Sequence, residues 1–288
     1  MSSTVISLVT DATLLTLTLA LASLGLAVVF GLIGVINMGH GAMLTLGAYF
    51  MWASIRAGIP FAPAAVLAAA GVALIGLALE HFVLRHFYDR PFETLLITWG
   101  FFLVATEIIK LVFGTSFRDV PSPLPEAFDL GFQRVPAYRT ALAAFTLALL
   151  LGIAFVFYRT NLGIKIRALV QNREMASLLG LNIAATYKLV FVSGSFLAGL
   201  AGALIAPMFS VHPYMGMDFL VRSFFVVIVG GIGQILGGTL VGSFLIGGAE
   251  TFFAQFSTQT FAQTVVFALA IIVLRFRPEG LVTPRSGQ

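Results

Sequence analysis

The residues best suited to chemistry in this chain are an amide, an imidazole and two glycines that lie between two long apolar runs. They form the stretch Asn37-Met38-Gly39-His40-Gly41. Inside a bilayer, polar side chains and backbone that has left a helix must be shielded by protein or by a water-filled path. We therefore predict a helix break beside a translocation path, with Asn37, Gly39, His40 and Gly41 as its candidate residues.

His40 admits several roles. An imidazole can relay a proton, bind a metal or hydrogen-bond to backbone carbonyls that a helix break leaves open. Its own segment offers no second histidine or carboxylate at ligand spacing, so we expect no metal site and no cofactor held by this chain. Contact of His40 or Asn37 with a transported solute and a purely structural role in the break are both consistent with the sequence.

Glu250 differs from the other ionisable residues of the apolar segments. Glu107 and Lys110 are three positions apart, and Asp218 and Arg222 are four apart, so both spacings predict a pair on one helix face. No basic residue lies within one turn of Glu250. We predict that Glu250 faces the translocation path or the bundle interior, or that it is a protonated structural carboxyl.

The sequence lacks an arrangement of nucleophile and base that is typical of an enzyme. It contains no cysteine, which excludes thiol catalysis and disulfides. Gly194-Ser195 continues with Phe-Leu-Ala and does not complete the Gly-x-Ser-x-Gly turn of a hydrolase. We predict a transport protein and not an enzyme. The missing hydrolase turn disfavours the alternative of an intramembrane hydrolase.

The elements that position these residues must be membrane helices. Apolar residues make up 59% of the 288 positions and charged residues 10%, whereas soluble domains carry roughly 25% charged residues. The mean hydropathy is +1.02. We predict one all-α polytopic transmembrane domain over residues 1–288, with about eight to ten helices of which several are broken by glycine. The candidate segments are 12–36, 40–56, 61–84, 94–113, 140–158, 188–208, 220–236, 238–255 and 261–275.

Basic residues set the predicted orientation. They cluster in a loop at 85–90, in a longer loop at 159–188 and in a tail that includes Arg285. The positive-inside rule makes all three cytoplasmic, including the C-terminus. The loop at 114–139, which four prolines stiffen, then lies outside. Nine crossings place the N-terminus outside, whereas a re-entrant segment at 40–56 would move it inside.

The loop at 159–188 contains a short predicted helix with one apolar face. Asn172 suits the N-cap, and Gly180 suits the left-handed position after the last turn. Such a helix lies on lipid or on its own protein, or it docks into a groove of a soluble partner. The apolar residues that recur at i, i+3 and i+4 are Met175, Leu178 and Leu179.

A glycine-rich run extends from Gly230 to Gly248. It lacks the Gly-Lys-Ser/Thr of a phosphate-binding loop, so we expect no nucleotide site there. Its Gly-x-x-x-Gly spacing is typical of membrane helices that approach closely. We predict helix packing, and as a further interpretation a second helix break over 230–238, opposite the first. The predicted packing residues are Gly230, Gly231, Gly233, Gly237, Gly238 and Gly242.

Several motifs together resemble one family. The order Glu-Met-Ala-x-x-x-Gly at 174–180 is similar to the Glu-Ala-Ala-x-x-x-Gly coupling-loop signature of ATP-binding-cassette importer permeases, with methionine in place of the first alanine. Together with the stretches at 35–41 and 230–238 and the tail at 275–281, it resembles the branched-chain amino acid permease family, in particular the shorter of its two permease subunits. The resemblance implies that the cytoplasmic loop contacts ATPases through Arg173, Glu174, Met175, Ala176, Leu178, Leu179 and Gly180.

The resemblance also implies partners and a function. Members of the family pair with a second homologous permease subunit in a heterodimer. They also bind two cytoplasmic ATPases, which use ATP and Mg, and a periplasmic solute-binding protein. The implied surroundings are membrane lipid, and no nucleic acid is an implied partner. We therefore predict a permease subunit of an importer of the bacterial inner membrane, carrying branched-chain amino acids or a related small polar solute. Urea and short amides are carried by similar permeases. An ion-coupled secondary transporter would also contain broken helices, and Glu250 would be its candidate coupling site.

Overall fold

The computed structural model describes residues 2–129 and 134–282, so Arg285 lies outside the described residues. Within these ranges the chain folds into eleven helices and one two-stranded hairpin, which confirms the predicted all-α bundle. The helices are α1 (Ser2–Ile33), α2 (His40–Arg56), α3 (Phe61–Phe82), α4 (Pro91–Phe113), α5 (Ala137–Arg159), α6 (Asn161–Gln171), α7 (Arg173–Leu178), α8 (Ile183–Ile205), α9 (Met215–Gly230), α10 (Ile235–Ala254) and α11 (Gln259–Phe276), and the strands are β1 (Ala127–Asp129) and β2 (Arg134–Pro136).

Each of the nine predicted segments overlaps a different helix over most of its length, and the segment at 220–236 also includes the first two residues of α10. α6 and α7 are additional short helices within the loop at 159–188. By length and composition, seven of the described helices are able to cross a membrane. The other two predicted segments, α2 with 17 residues and α9 with 16, are shorter. The segment predicted at 220–236 is displaced, because α9 ends where Gly231 adopts a φ of +114°.

The bundle is built from two groups of helices. One group contains α2, α3, α4 and α8, and the other contains α1, α5, α9, α10 and α11, with the contacts of α1 with α8 and of α2 with α9 joining them. α2 lies at the centre and is buried from His40 to Tyr49. Glycine also permits the close contact of α8 with α3, since a Cβ on Gly199 of α8 would lie 2.7 Å from the Val72 side chain of α3.

The two ends of the bundle differ in structure. At one end of the bundle, called the α7 end, lie the short helices α6 and α7. At this end α3 ends, and α4 and α8 begin. The hairpin end carries β1 and β2, whose register pairs Phe128 with Val135, and there α8 and α10 end and α5 and α11 begin. A two-way backbone pair between Arg118 and Val211, with N to O distances of 2.9 and 2.7 Å, connects the loop that follows α4 to the segment that follows α8.

Candidate translocation and coupling sites

The predicted break at Asn37–Gly41 is confirmed as a break in helix, since α1 ends at Ile33 and α2 begins at His40. Gly34, at φ +70°, turns the chain out of α1. The Met38 amide donates to the Thr98 hydroxyl of α4 over 3.1 Å, and that hydroxyl lies 3.3 Å from the Ile36 carbonyl oxygen. A side chain of a neighbouring helix thus replaces hydrogen bonds that the broken backbone lacks.

Both polar side chains of the break point into packed protein. The His40 Nε2 atom lies 2.8 Å from the Ala22 carbonyl oxygen, so its hydrogen bond goes to the continuous helix α1 and not to broken-helix carbonyls. The Asn37 Nδ2 atom contacts the Met43 sulfur at 3.9 Å, while its Oδ1 atom is buried without a hydrogen-bond partner among the described residues. Gly39 lies against the Phe101 ring of α4. A role of these residues toward a solute stays a prediction.

A second break lies between α8 and α9, over residues 206–214. It brings the first turn of α9 against the first turn of α2. The Gly216 amide donates to the Thr45 hydroxyl over 3.0 Å, and this hydroxyl donates to the Gly41 carbonyl oxygen over 3.1 Å. A Cβ on Gly41 would lie 2.6 Å from the Gly216 carbonyl oxygen. The two short helices therefore begin side by side inside the bundle.

The predicted interruption of helix over 230–238 is present, since α9 ends at Gly230 and α10 begins at Ile235. Residues 231–234 form the tight turn between α9 and α10, in which Gly233 has a φ of +87°. This turn lies beside Gly31 and Gly34, where α1 ends and the first break begins. The break over 206–214 has its own signal in the sequence, because Pro207 and Pro213 lie within it.

The predicted packing glycines divide into three groups. Gly230, Gly238 and Gly242 lie at the contact of α9 with α10, where Gly242 faces the Val226 carbonyl. Gly231 and Gly233 form the turn, and Gly237 lies 3.6 Å from Val282, measured from an added Cβ.

The tail that follows α11 returns to the end of α9. The Leu281 amide donates to the Val229 carbonyl oxygen over 2.8 Å, and the Val282 amide donates to the Gly230 carbonyl oxygen over 3.1 Å. Carbonyls at a helix end lack partners within the helix, so the tail serves as the C-terminal cap of α9.

Glu250 has a basic partner on another helix. Its Oε1 atom lies 3.3 Å from the Arg222 guanidinium of α9, and the side chain is 2% exposed. Gln259 and Gln263 of α11 donate to the same oxygen over 2.5 and 3.4 Å. The predicted pairing of Asp218 with Arg222 is therefore wrong, because Arg222 turns toward α10. The predicted pair of Glu107 and Lys110 is confirmed, at 2.5 Å.

A cavity of about 460 Å³ lies at the hairpin end beside this ion pair. It is lined by α1, the start of α5, the segment after α8, Arg222 of α9, and the residues from the last turn of α10 to the first residue of α11. Its charged residues are two acids and two bases, and its other residues are apolar, hydroxyl or amide side chains. The charged lining residues are Asp11, Arg139, Arg222 and Glu250, and the apolar ones include Leu15 and Phe209.

At the α7 end, the predicted capping of the short helix is confirmed. The Asn172 Oδ1 atom accepts a hydrogen bond from the Met175 amide over 2.9 Å, and Gly180 has a φ of +80°. Ala176 is buried with Leu169 of α6 and Tyr187 of α8. The opposite side of α7 and the residue after it carry three exposed apolar side chains, which are Met175 (55% exposed), Leu178 (80%) and Leu179 (75%).

Two polar contacts connect α7 with the bundle. The Arg173 guanidinium lies 2.5 Å from an Asp89 carboxylate oxygen in the loop between α3 and α4, and it lies 5.3 Å from the centre of the Tyr187 ring. The hydrogen bond to Asp89 raises the pKa of Arg173, so this residue stays charged. Beside them the Tyr88 hydroxyl donates to Glu80 over 3.2 Å. Burial, and then the Glu80 carboxylate, raise the pKa of Tyr88, which keeps this hydroxyl protonated.

Comparison with known proteins identifies the family. The family model described as branched-chain amino acid transport system, permease component, matches residues 8–274. This chain belongs to that family. It is 29% identical over 281 residues to the high-affinity branched-chain amino acid transport system permease protein BraD of Pseudomonas aeruginosa, covering 92% of the chain and 91% of BraD. It is 27% identical over 286 residues to the corresponding protein LivH of Escherichia coli, with the same coverage.

The likeness extends in part to another import permease. The ribose import permease protein RbsC of Haemophilus influenzae is 28% identical over 125 residues, which are 41% of the chain and 39% of RbsC. No solved structure matches the chain.

The sequence did not predict the contacts of several residues of this permease. Asp89 and Arg222 are joined to partners on distant segments, and spacing along one helix carries no information on such pairs. Thr45 and Gly216 were not predicted because small residues are common throughout membrane helices, so their residue types alone do not mark a contact. For Arg139, the signal was its place directly before a predicted segment, next to a loop that is predicted to be external, where a charge can face a water-filled cavity.

Proposed function

We propose that this permease is one subunit of an ATP-driven importer that carries branched-chain amino acids across a bacterial inner membrane. Membership of the family supports the transport class, and the names of BraD and LivH suggest the solute. The observation that carries the ATP-driven mechanism is the exposed apolar face of α7. The chain itself binds no nucleotide in this proposal, and the ATPases are separate subunits.

The face formed by Met175, Leu178 and Leu179 suits a groove on a soluble partner. It is anchored on one side by buried Ala176 and leaves its apolar side uncovered. Burying one such side chain contributes about 1.5–3 kcal/mol, so three of them provide a stable contact. A cytoplasmic ATPase subunit would cover this face, together with the predicted contact residues Arg173, Glu174 and Gly180.

The same region provides a route for movement. A displacement of α7 would pull on Asp89 through Arg173, and therefore on the loop that joins α3 to α4. It would also act on α8 through Tyr187. α3 and α8 pack along each other and enclose α2. ATP binding and hydrolysis in the partners would thus change the opening of the bundle through these helices.

The predicted orientation of the helices in the membrane sets the arrangement of the proposed assembly. The α7 end and the C-terminus are cytoplasmic, the N-terminus and the hairpin end are periplasmic, and α2 and α9 complete nine segments. A second homologous permease subunit completes the pore as a heterodimer, two ATPases bind the cytoplasmic loops, and a solute-binding protein docks on the hairpin end.

A secondary transporter driven by an ion gradient is the competing function. It needs a carboxylate that is available to a coupling ion, and Glu250 is already held by one guanidinium and two amides. This arrangement favours the ATP-driven importer. Within the importer class, urea or a short amide is the alternative solute.

The test is uptake of labelled leucine by the complete importer in proteoliposomes. We expect uptake to continue when ionophores collapse all ion gradients and to stop when the ATPase is inactivated by substitution. Uptake that follows the ion gradient and ignores the ATPase would contradict the proposal. Thermal-shift screening of the solute-binding protein across amino acids, urea and amides then decides the solute.

A further inference from the structure

We propose that a groove between α1, α5, α6 and α8 holds an acyl chain of an anionic phospholipid, with the lipid headgroup at Arg159 and Lys165. The groove shares no lining residue with the cavity at the hairpin end, so it adds a lipid ligand to the proposed transport function. Its volume is about 490 Å³, which lies within the range of about 300–1,000 Å³ that is typical of small-molecule sites.

The lining of the groove is apolar. Its floor belongs to the buried core and includes Val28 of α1, Ile166 of α6 and Val190 of α8. Among the described residues that line it, Ser193 alone has a polar side chain, and its hydroxyl already donates to the Val190 carbonyl oxygen over 2.9 Å. A polar solute would lose its hydrogen bonds to water there without replacement, whereas hydrocarbon has none to lose.

The groove is open on its outer side. The lining residues Val156, Leu162 and Leu189 are 43%, 39% and 45% exposed. A Cβ added to Gly152, another lining residue, would have no described atom within 4 Å, so this position faces open space. The medium around a membrane helix is lipid hydrocarbon. An acyl chain is therefore the occupant that suits these side chains.

Two bases lie at the rim of the groove. Arg159 follows Val156 by three positions on α5, and Lys165 follows Leu162 by three positions on α6. Residues with this spacing are neighbours on a helix surface. Both bases are exposed, and neither forms an ion pair or a side-chain hydrogen bond with a described residue.

The charge around the groove matches an anionic headgroup. The sequence contains no acid from position 140 to position 173, so the two rim bases have no acidic neighbour along the chain. In the predicted orientation this end of the bundle is cytoplasmic, and basic pockets between membrane helices on that side bind anionic headgroups. A zwitterionic headgroup would bring a second positive charge toward the same bases.

The groove also borders the predicted coupling loop. Ile166 of α6 lines the groove, and Leu169, one turn further along, packs against Ala176 of α7. The Arg167 guanidinium donates to the Phe157 carbonyl oxygen and so holds α6 against the end of α5. A lipid in the groove therefore supports the helix from which α7 extends.

A helix of a second permease subunit is the competing occupant of the groove. Such a helix would remove Arg159 and Lys165 from water, and this part of the chain provides no acid to pair with them. Burial of an unpaired charge is costly. A phospholipid leaves both bases at the membrane surface, where its phosphate can pair with them, and this difference favours the lipid.

The experiment counts the phospholipids that the full chain retains, by native mass spectrometry. The protein is released from nanodiscs that contain equal amounts of phosphatidylglycerol and phosphatidylcholine with the same acyl chains. We expect one retained phosphatidylglycerol per chain, at an occupancy at least about tenfold above that of phosphatidylcholine, since each base near the membrane surface strengthens the binding of an anionic lipid.

A double variant tests the headgroup contact. Arg159→Gln combined with Lys165→Gln is expected to lower the retention of phosphatidylglycerol to that of phosphatidylcholine. Arg275→Gln combined with Arg277→Gln is the matched control, because it removes the same charge from two exposed bases at the end of α11, outside the groove lining. We expect this control to retain the lipid.

A second variant fills the groove. Gly152→Leu places a side chain in the open space, so we expect it to lose the retained lipid. Its melting temperature should not fall, because leucine favours a helix more than glycine does. Gly100→Leu of α4 is the control, since an added Cβ there also has no described atom within 4 Å, and it should keep the lipid.

Equal retention of both lipids by the wild type would overturn the proposal, and so would wild-type retention by Gly152→Leu or by the double variant of Arg159 and Lys165. Benzoylphenylalanine in place of Val156 tests the complete importer, and a photo-cross-link to the second permease subunit in place of lipid would also overturn the proposal. The binding measurement needs no ATPase. Its failure would contradict the lipid site alone, whereas a wild-type importer without ATP-driven uptake would contradict the proposed function.

Discussion

The Arg173 guanidinium of α7 lies 2.5 Å from the Asp89 carboxylate in the loop between α3 and α4, although the two residues are far apart in the chain. This ion pair connects the helix that presents the exposed apolar face to the part of the bundle that encloses α2. Both side chains are largely exposed, at 44% and 78%, so the pair contributes little to stability. Its importance lies in the position that it gives to α7.

Substitution of Asp89 should uncouple transport without unfolding the protein. We expect Asp89→Asn to change the free energy of unfolding by less than about 1 kcal/mol, as is usual for exposed pairs, and to lower leucine uptake per ATP hydrolysed by the complete importer. Arg173→Gln should have the same effect, and the double variant should be no worse than either single one. Additive losses in the double variant would show that the two residues act separately.

The apolar face of α7 should be required for assembly with the ATPase. Leu178→Glu places a charge on an exposed side chain, so we expect an unchanged melting temperature and loss of ATPase in co-purification. Phe256→Glu is the matched control, since Phe256 is similarly exposed, at 74%, in the turn between α10 and α11. Equal ATPase recovery with both variants would exclude this face as the contact. Substitutions of Glu174 and of Gly180 should also reduce coupling while the bundle stays folded.

The crossing of α2 and α9 should tolerate no added methyl group. A Cβ at Gly41 would meet the Gly216 carbonyl oxygen at 2.6 Å, so we expect Gly41→Ala to destabilise the protein by about 1–3 kcal/mol, the usual cost of overpacking. Gly100→Ala is the control, because an added Cβ there has no atom within 4 Å among the described residues. Melting in detergent measures both, and an unchanged melting temperature of Gly41→Ala would contradict the tight crossing.

The buried ion pair should show strong coupling between its members. Arg222→Met leaves the Glu250 carboxylate buried without its cation, so we expect a loss of about 3 kcal/mol in stability, as is typical when one partner of a buried pair is removed. Adding Glu250→Gln to the same chain should restore most of that loss, because the neutral amide needs no cation. A double variant that is less stable than Arg222→Met would show that Arg222 and Glu250 stabilise the bundle independently.

Local features of this permease were predictable from the sequence, and contacts between distant helices were not. The break before His40, the Asn172 cap and the pair of Glu107 with Lys110 all depend on neighbouring residues, and all three are present. The partner of Arg222 depends on how α9 faces α10, which the spacing within α9 cannot reveal.

The break over 206–214 shows the same limit. The glycines over 230–238 form the tight turn between α9 and α10, where Gly231 and Gly233 adopt a positive φ. The prolines at 207 and 213 were the better signal, because proline removes a backbone donor and ends a helix. The meeting of α2 with α9 could not be predicted from either feature, since Gly41 and Gly216 are brought together by the packing of all the intervening helices.

The cap that residues 281 and 282 place on α9 has a consequence for the order of folding. Val229 and Gly230 precede the whole of α10 and α11, while the amides that satisfy their carbonyls follow both helices. Contacts between segments that are distant in sequence form late, because the intervening chain must first be ordered. The end of α9 is therefore completed only after α10 and α11 have inserted and packed. Until then the carbonyls of Val229 and Gly230 lack the two amides that cap them in the folded chain, so the last two helices must pack correctly before the end of α9 is capped.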